Sequence, residues 1–331
     1  MITRDERARL LALLHRAAHA ALARYGIDPG AGVELSSYSE NTVFKVSVPR
    51  SGQRLALRIH RPNYHSPNAI RSELAWMQAL NAAGIGAPRS IDGLDGDPLQ
   101  EVWIDGLGKR TVTALRWIDG RFPDESQLEP AMRRLGSLCA RLHAHARSWR
   151  RPDYFERIVW DHETTTGPAA HWGRWEDSPG LAPADAAILR QAQALAGARL
   201  AAFGKGPERF GLIHADQRLA NLLVDGDTTH IIDFDDCGLG WFLHDLAAGL
   251  SFIEHRPDAG RLIDCWTEGY TTVGTLSAAD IAEFPTFILQ RRLQLLAWRG
   301  SHFETDMAQG LGDDWVAATA QLGARYLRTM G

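Results

Sequence analysis

The chain has 331 residues, 45% of them apolar and 23% charged, the make-up of an ordinary globular protein, which excludes a disordered or fibrous one. Its 36 basic side chains against 40 acidic ones leave a net charge of −4, so neither nucleic acid nor an anionic membrane has an electrostatic basis as a partner. The charge is unevenly spread: residues 1–121 carry 16 basic and 12 acidic side chains, and residues 122–331 carry 20 and 28. Three widely spaced cysteines, Cys139, Cys237 and Cys265, form neither a disulfide framework nor a zinc pattern, so a cytoplasmic location is expected. The longest apolar run near the start, Leu10–Leu14, is too short for the core of a signal peptide, and no segment reads as a membrane span.

Leu10, Leu13, Leu14 and Ala17 mark one face of an opening helix. Residues 41–48 and 54–60 flank the turn sequence PRSGQ and read as a hairpin. Ser66-Pro67 supplies a helix N-cap followed by proline at the first helical position, Ile70, Leu74 and Met77 continue that helix, and Gly84 suits its end. Strand-like runs follow at 99–104 and 110–118. From about residue 125 the pattern is mostly helical, with Leu128, Met132, Leu135, Cys139 and Leu142 in register. The fold class expected is α+β and bilobal. A small N-terminal lobe, residues 1–118, holds a five-stranded antiparallel sheet and a helix, and a larger, mainly helical lobe spans 119–331. Ligands favour such a junction. The tryptophan-rich HWGRWEDSPG, 171–180, reads either as a pocket rim or as a packing loop. His143 and His145, two apart beside Cys139, point to different helix faces and read as core packing rather than a metal site.

The informative stretch is GLIHADQRLANLLVDGDTTHIIDFDD, residues 211–236. Asp225-Gly226 between two apolar runs signals a hairpin. If it centres on Asp227, Asn221 and Asp233 face each other with Cβ atoms about 4.5–5.5 Å apart. An amide oxygen and a carboxylate are a fitting pair of hard ligands for Mg²⁺. Asp233, Asp235 and Asp236 also repel one another unless a cation is near. Asp216 sits on the loop entering the hairpin, placed as the aspartate that orients an attacking hydroxyl in phosphoryl transfer.

His214-Ala-Asp216 with Asn221, then Ile232-Asp233-Phe-Asp-Asp236, resembles the signature of the aminoglycoside phosphotransferase and choline kinase superfamily. That group has the protein-kinase-like fold and includes type II homoserine kinase and bacterial stress-response Ser/Thr kinases. The resemblance implies Asp216 as catalytic base, Asn221 and Asp233 as Mg²⁺ ligands, His214 as structural support of the loop and Asp245 as its brace. In the N-terminal lobe it places Arg58 where the phosphate-binding lysine stands and Glu73 as its ion-pair partner. A plain surface ion pair is the competing reading of those two. No glycine-rich loop is present; Ser37, Ser39 and Asn41 in SSYSEN stand in its place. Thr111–Trp117 is the implied hinge whose backbone grips the purine, ending at Trp117.

The implied activity is transfer of the γ-phosphoryl group of ATP, with GTP as the alternative, to a hydroxyl of an aminoglycoside-, homoserine- or choline-like small molecule. The acidic C-terminal region favours a cationic acceptor. A monomer or homodimer is expected, with no nucleic-acid or membrane partner. Two other readings stand beside it: a protein Ser/Thr kinase of the stress-response type, from SYSEN, and a nucleotide-binding pseudokinase, from the missing glycines and Arg58.

Overall fold

Small side chains open the fold. Helix α1 (Arg4–Leu22) turns Leu14, Ala17, Ala18 and Ala21 inward, a stripe narrow enough to lie close on a sheet. The computed structural model describes residues 4–38, 41–226 and 228–331. The chain forms two units, one of residues 1–120 with 151–156, the other of 121–150 with 157–331. Among the described residues no helix is long and apolar enough to cross a membrane.

The first unit is built on an antiparallel sheet of β1 (Gly32–Tyr38), β2 (Thr42–Val48), β3 (Gln53–Ile59), β4 (Ser90–Ile91), β5 (Leu99–Ile104) and β6 (Gly108–Arg116), with helix α2 (Pro67–Ala82) following β3 in sequence. The strand order is β1-β2-β3-β6-β4, and β5 also pairs with β6. The sheet thus has six strands where the sequence suggests five. β1 is exposed along most of its length, so GVELSSY lacks the apolar alternation of a half-buried strand, and β4 is too short to show a period. The expected cap is present: the Ser66 hydroxyl accepts the Ala69 N–H at 3.0 Å, and Gly84 has φ +74° just past the end of α2.

The second unit contains α3 (Leu128–Ser148), β7 (Val159–Trp160), α4 (His162–Thr166), α5 (Pro183–Phe203), β8 (Phe210–Ile213), β9 (Leu222–Asp225), β10 (Thr228–Ile231), β11 (Gly238–Trp241), α6 (Leu243–Gly249), α7 (Ala259–Thr271), α8 (Ala278–Ala282), α9 (Phe284–Ser301), α10 (Asp306–Gly310) and α11 (Asp313–Met330). Trp175 is 1% exposed in a core with Leu189, Leu293 and Val316 of α5, α9 and α11, so HWGRWEDSPG is a packing loop anchored by its second tryptophan. Helices α3 and α7 touch backbone to backbone through Gly136 and Gly269. A Cβ at Gly136 would strike the Trp266 carbonyl, and one at Gly269 the Arg133 carbonyl. Because backbone cannot yield as a side-chain tip does, Gly269→Ala is expected to cost about 1–3 kcal/mol or more, read as a lowered urea midpoint.

Candidate functional site

The loop after β8 is held from outside the motif. Asp245, on α6 and fully buried, accepts the N–H of His214 at 3.1 Å and of Ala215 at 2.7 Å, and its Oδ2 lies 3.0 Å from Nε2 of buried His143. Ala215 has φ +66°, a conformation L side chains rarely adopt and one that clusters where the surroundings over-determine it. His214 Nδ1 accepts the Asp216 N–H at 3.3 Å. The ring proton therefore sits on Nε2, which donates to the Ile232 carbonyl at 3.1 Å. One buried imidazole so ties Asp216 to the residue preceding Asp233.

Asp216 is gripped on both carboxylate oxygens. Arg291 Nη2, on α9, donates to Oδ1 at 2.6 Å; Arg218 Nε donates to Oδ2 at 3.1 Å and Asn221 Nδ2 to Oδ2 at 2.9 Å. Burial pushes this carboxyl up, but the Arg218 and Arg291 guanidiniums outweigh it and hold it at about 2. Asn221 also donates Nδ2 to the Asp216 carbonyl at 2.8 Å. With the amide nitrogen spent twice on Asp216, the amide oxygen is the end that remains for a cation.

The hairpin register differs by one residue from the expected one. Asp225 pairs with Thr228 and Leu222 with Ile231, so the chain reverses between Asp225 and Thr228, with Gly226 at φ +56°. Asn221 therefore opposes Ile232, whose N–H it accepts at 2.9 Å, and Asp233 is one residue beyond. Asp233 is exposed and itself takes φ +64°, so the chain turns sharply at this residue. The carbonyls of the following loop are pinned: Arg157 donates to those of Asp235 and Cys237, and Trp160 Nε1 to that of Asp236 at 2.7 Å. Asp235 is buried and Asp236 half-buried. An amide oxygen and a run of carboxylates on a pinned backbone fit Mg²⁺, which takes hard oxygen ligands. Cys237 is buried.

In the first unit Arg58 Nη2 lies 2.5 Å from Glu73 Oε1, the side chains 6% and 0% exposed, a buried pair and not a surface one. Ser37 lies in β1, opposite Val43 past a bulge. Asn41 spends its amide oxygen on the Arg61 N–H at 2.9 Å. Ser39 lies outside the described residues. Thr111–Arg116 belong to β6, paired on both edges, and the N–H groups of Arg116 and Trp117 donate to the carbonyls of Arg89 and Arg54. The expected hinge backbone is thus sheet backbone up to Arg116. The Trp117 ring lies 5.3 Å from the Lys45 ammonium.

The sequence reading missed Arg291, Arg218, Arg157 and the His143–Asp245 contact. Arg291 had a signal: two adjacent arginines in the mostly apolar FILQRRLQLLAW require buried partners. The Cys139–His143–Asp245 group is spent internally, since His143 uses Nδ1 on the Tyr270 hydroxyl and Nε2 on Asp245.

Buried His143, His214 and His244 all have imidazole pKa values lowered by burial, that of His244, where the Arg291 charge adds to burial, to about 4. A lowered pKa contributes stability that is complete above the unfolded value and is lost as pH falls through the folded one. The urea midpoint is therefore expected to be flat above about pH 7 and to fall between about pH 6.5 and 4, as measured by denaturation across that range.

The model of the phosphotransferase enzyme family matches residues 32–278. A solved structure of a microcompartment-associated aminopropanol kinase is 38% identical, with a TM-score of 0.88 over 96% of this chain and 98% of that one. The amicoumacin kinase of Bacillus subtilis (strain 168) is 25% identical over 230 residues, 69% of this chain and 64% of its own length. The chain thus spans just under two thirds of that relative. A structure of an amicoumacin kinase in complex with AMP-PNP, Ca²⁺ and Ami shares the fold, with a TM-score of 0.77 at 18% identity, covering 98% of this chain and 96% of that one.

Proposed function

Because this chain belongs to the phosphotransferase enzyme family, we propose that it transfers the γ-phosphoryl group of ATP to the hydroxyl of a small amino alcohol. One observation carries the reading: Asp216 is buried, ionised and fixed on both carboxylate oxygens, beside an asparagine whose amide nitrogen it holds. An ionised, immobile carboxylate orients an attacking hydroxyl and accepts its proton late, which is what positioning-dominated phosphoryl transfer asks of a protein. Asn221 and Asp233 would hold Mg²⁺, which supplies charge neutralisation of the phosphates. Arg58, set by Glu73, would hold the nucleotide phosphates, since a guanidinium fork binds phosphate oxygens in pairs. Trp117 would lie against the purine, and Ser37 and Asn41 would meet the phosphates in place of a glycine-rich loop. His214 and Asp245 would keep Asp216 in place without touching substrate. The amino-alcohol class rests on the 38% identity with an aminopropanol kinase and on the acidic residues 122–331.

ADP release with ATP and Mg²⁺, screened over aminopropanol, ethanolamine, choline, homoserine and aminoglycosides, is expected to rise above background with an amino alcohol. No turnover with any hydroxyl compound at millimolar concentration overturns this reading, and phosphate incorporated into casein instead replaces it with protein phosphorylation.

A further inference from the structure

On the first unit, a groove of about 640 Å³ lies beside α2, along β4 and the end of β6. Arg71, Ala75, Gln78 and Ala82 line it from a single helix stripe. Glu73 is two positions from Arg71, so it points about 200° away around the helix, toward Arg58. The groove therefore lies on the side of α2 away from the Arg58–Glu73 pair, and of the residues assigned above only Arg116, from the expected hinge segment, lines it.

We propose that this groove binds a small phosphomonoester dianion carrying an apolar or aromatic group. Three guanidiniums, of Arg71, Arg89 and Arg116, line it against one carboxylate, that of Asp92. Arg71 is paired with Asp97 at 2.5 Å. The Arg116 side chain has no hydrogen-bond or ion-pair partner among the described residues, and Arg89 uses only Nε, on the Asn81 amide oxygen at 3.3 Å. The Arg116 fork and the two terminal nitrogens of Arg89 are thus left to meet a phosphate in the groove, the pairing in which arginine is strongest. The mounts are firm. Asn81 Nδ2 donates to the Met77, Ala87 and Pro88 carbonyls and so fixes the turn that carries Arg89, and Arg116 ends a strand paired on both edges. Tyr154, 45% exposed, lines the same groove. It lies in the returning segment 151–156, tied to α2 by the Glu156 N–H on the Ser72 hydroxyl at 3.0 Å. Its ring and Leu74 supply the apolar contact for the organic part, within the size range of ~300–1,000 Å³ usual for small-molecule sites.

Calorimetric titration of the full chain with phenyl phosphate and with inorganic phosphate tests this. Phenyl phosphate is expected to bind the tighter of the two and to raise the melting temperature as a ligand of the native state does. Arg89→Ala with Arg116→Ala is expected to weaken both by ~10-fold or more. Tyr154→Ala is expected to weaken phenyl phosphate alone, and Arg58→Met to leave both unchanged. The three groove side chains are exposed, so their variants are expected to fold, as checked by an unchanged melting temperature without ligand. Undiminished binding in the double arginine variant, lost binding in Arg58→Met, or no binding at 10-fold above ~1 mM ligand overturns the proposal.

Discussion

Asp216→Asn is expected to lower kcat by about 10²–10⁴-fold, the range for losing a positioned proton acceptor, while the dissociation constant for ATP stays within a few-fold. Asparagine keeps the shape of the side chain and an oxygen for Arg218 or Arg291, but not the charge that both guanidiniums surround at 3.1 and 2.6 Å. The carboxyl is held at about 2, so it stays ionised throughout any working pH. A plot of kcat/KM against pH between 5 and 9 is therefore expected to show no acid limb belonging to this residue. Equal kcat in the variant and the parent would show that Asp216 is not the proton acceptor, and a wild-type acid limb near pH 6 that vanishes in the variant would show that the two arginines do not set the charge of Asp216.

The parts legible in the sequence are those governed by local chemistry. Ser66-Pro67 and Gly84 bracket α2 because a hydroxyl cap, a fixed proline φ and a positive-φ glycine each act over one turn. The β2–β3 hairpin follows from PRSGQ for the same reason. The apolar periods of α1 and α3 are legible because each buries one stripe. Alanine-rich α5, by contrast, presents small side chains on all sides and gives no such contrast. The hairpin after Asn221 shows where local reading stops: the turn was recognised, but choosing a centre at 227 rather than between 226 and 227 moved Asp233 opposite Asn221 instead of one residue past it. At Asp233 itself the backbone is left-handed, which no composition rule announces. The guanidinium on Asp216 comes from 75 residues downstream, and pairing over such a separation leaves no local trace beyond a charge where an apolar residue is expected.

That distant guanidinium is the point where fold and chemistry are most tightly joined, and Arg291→Met is expected to cost about 3–5 kcal/mol, the usual effect of removing one member of a buried pair. Arg291 is 2% exposed. Besides the Asp216 carboxylate it serves the Ala215 carbonyl at 3.3 Å, the Ser251 hydroxyl at 3.0 Å and Gln294 Oε1 at 3.1 Å, and it lies 5.1 Å from the Trp172 ring centre. Methionine fills the volume but leaves these acceptors without their donor. With Arg218 alone beside it, the Asp216 carboxyl, which burial pushes up, is expected to titrate higher than about 2. Its depressed value contributes stability that is present above about pH 4, the unfolded value, and is lost as pH falls through about 2. In the variant that loss therefore begins at higher pH. Arg291→Lys keeps the charge but not the fork that reaches two acceptors at once. It is expected to recover part of the stability and less of kcat, because Ala215, held at φ +66° directly before Asp216, loses its carbonyl partner. Urea denaturation at pH 7 together with kcat/KM from pH 4 to 8 separates these effects. Wild-type stability and a kcat/KM profile in Arg291→Met that gains no acid limb would mean that Arg218 and Asn221 suffice to hold the carboxylate.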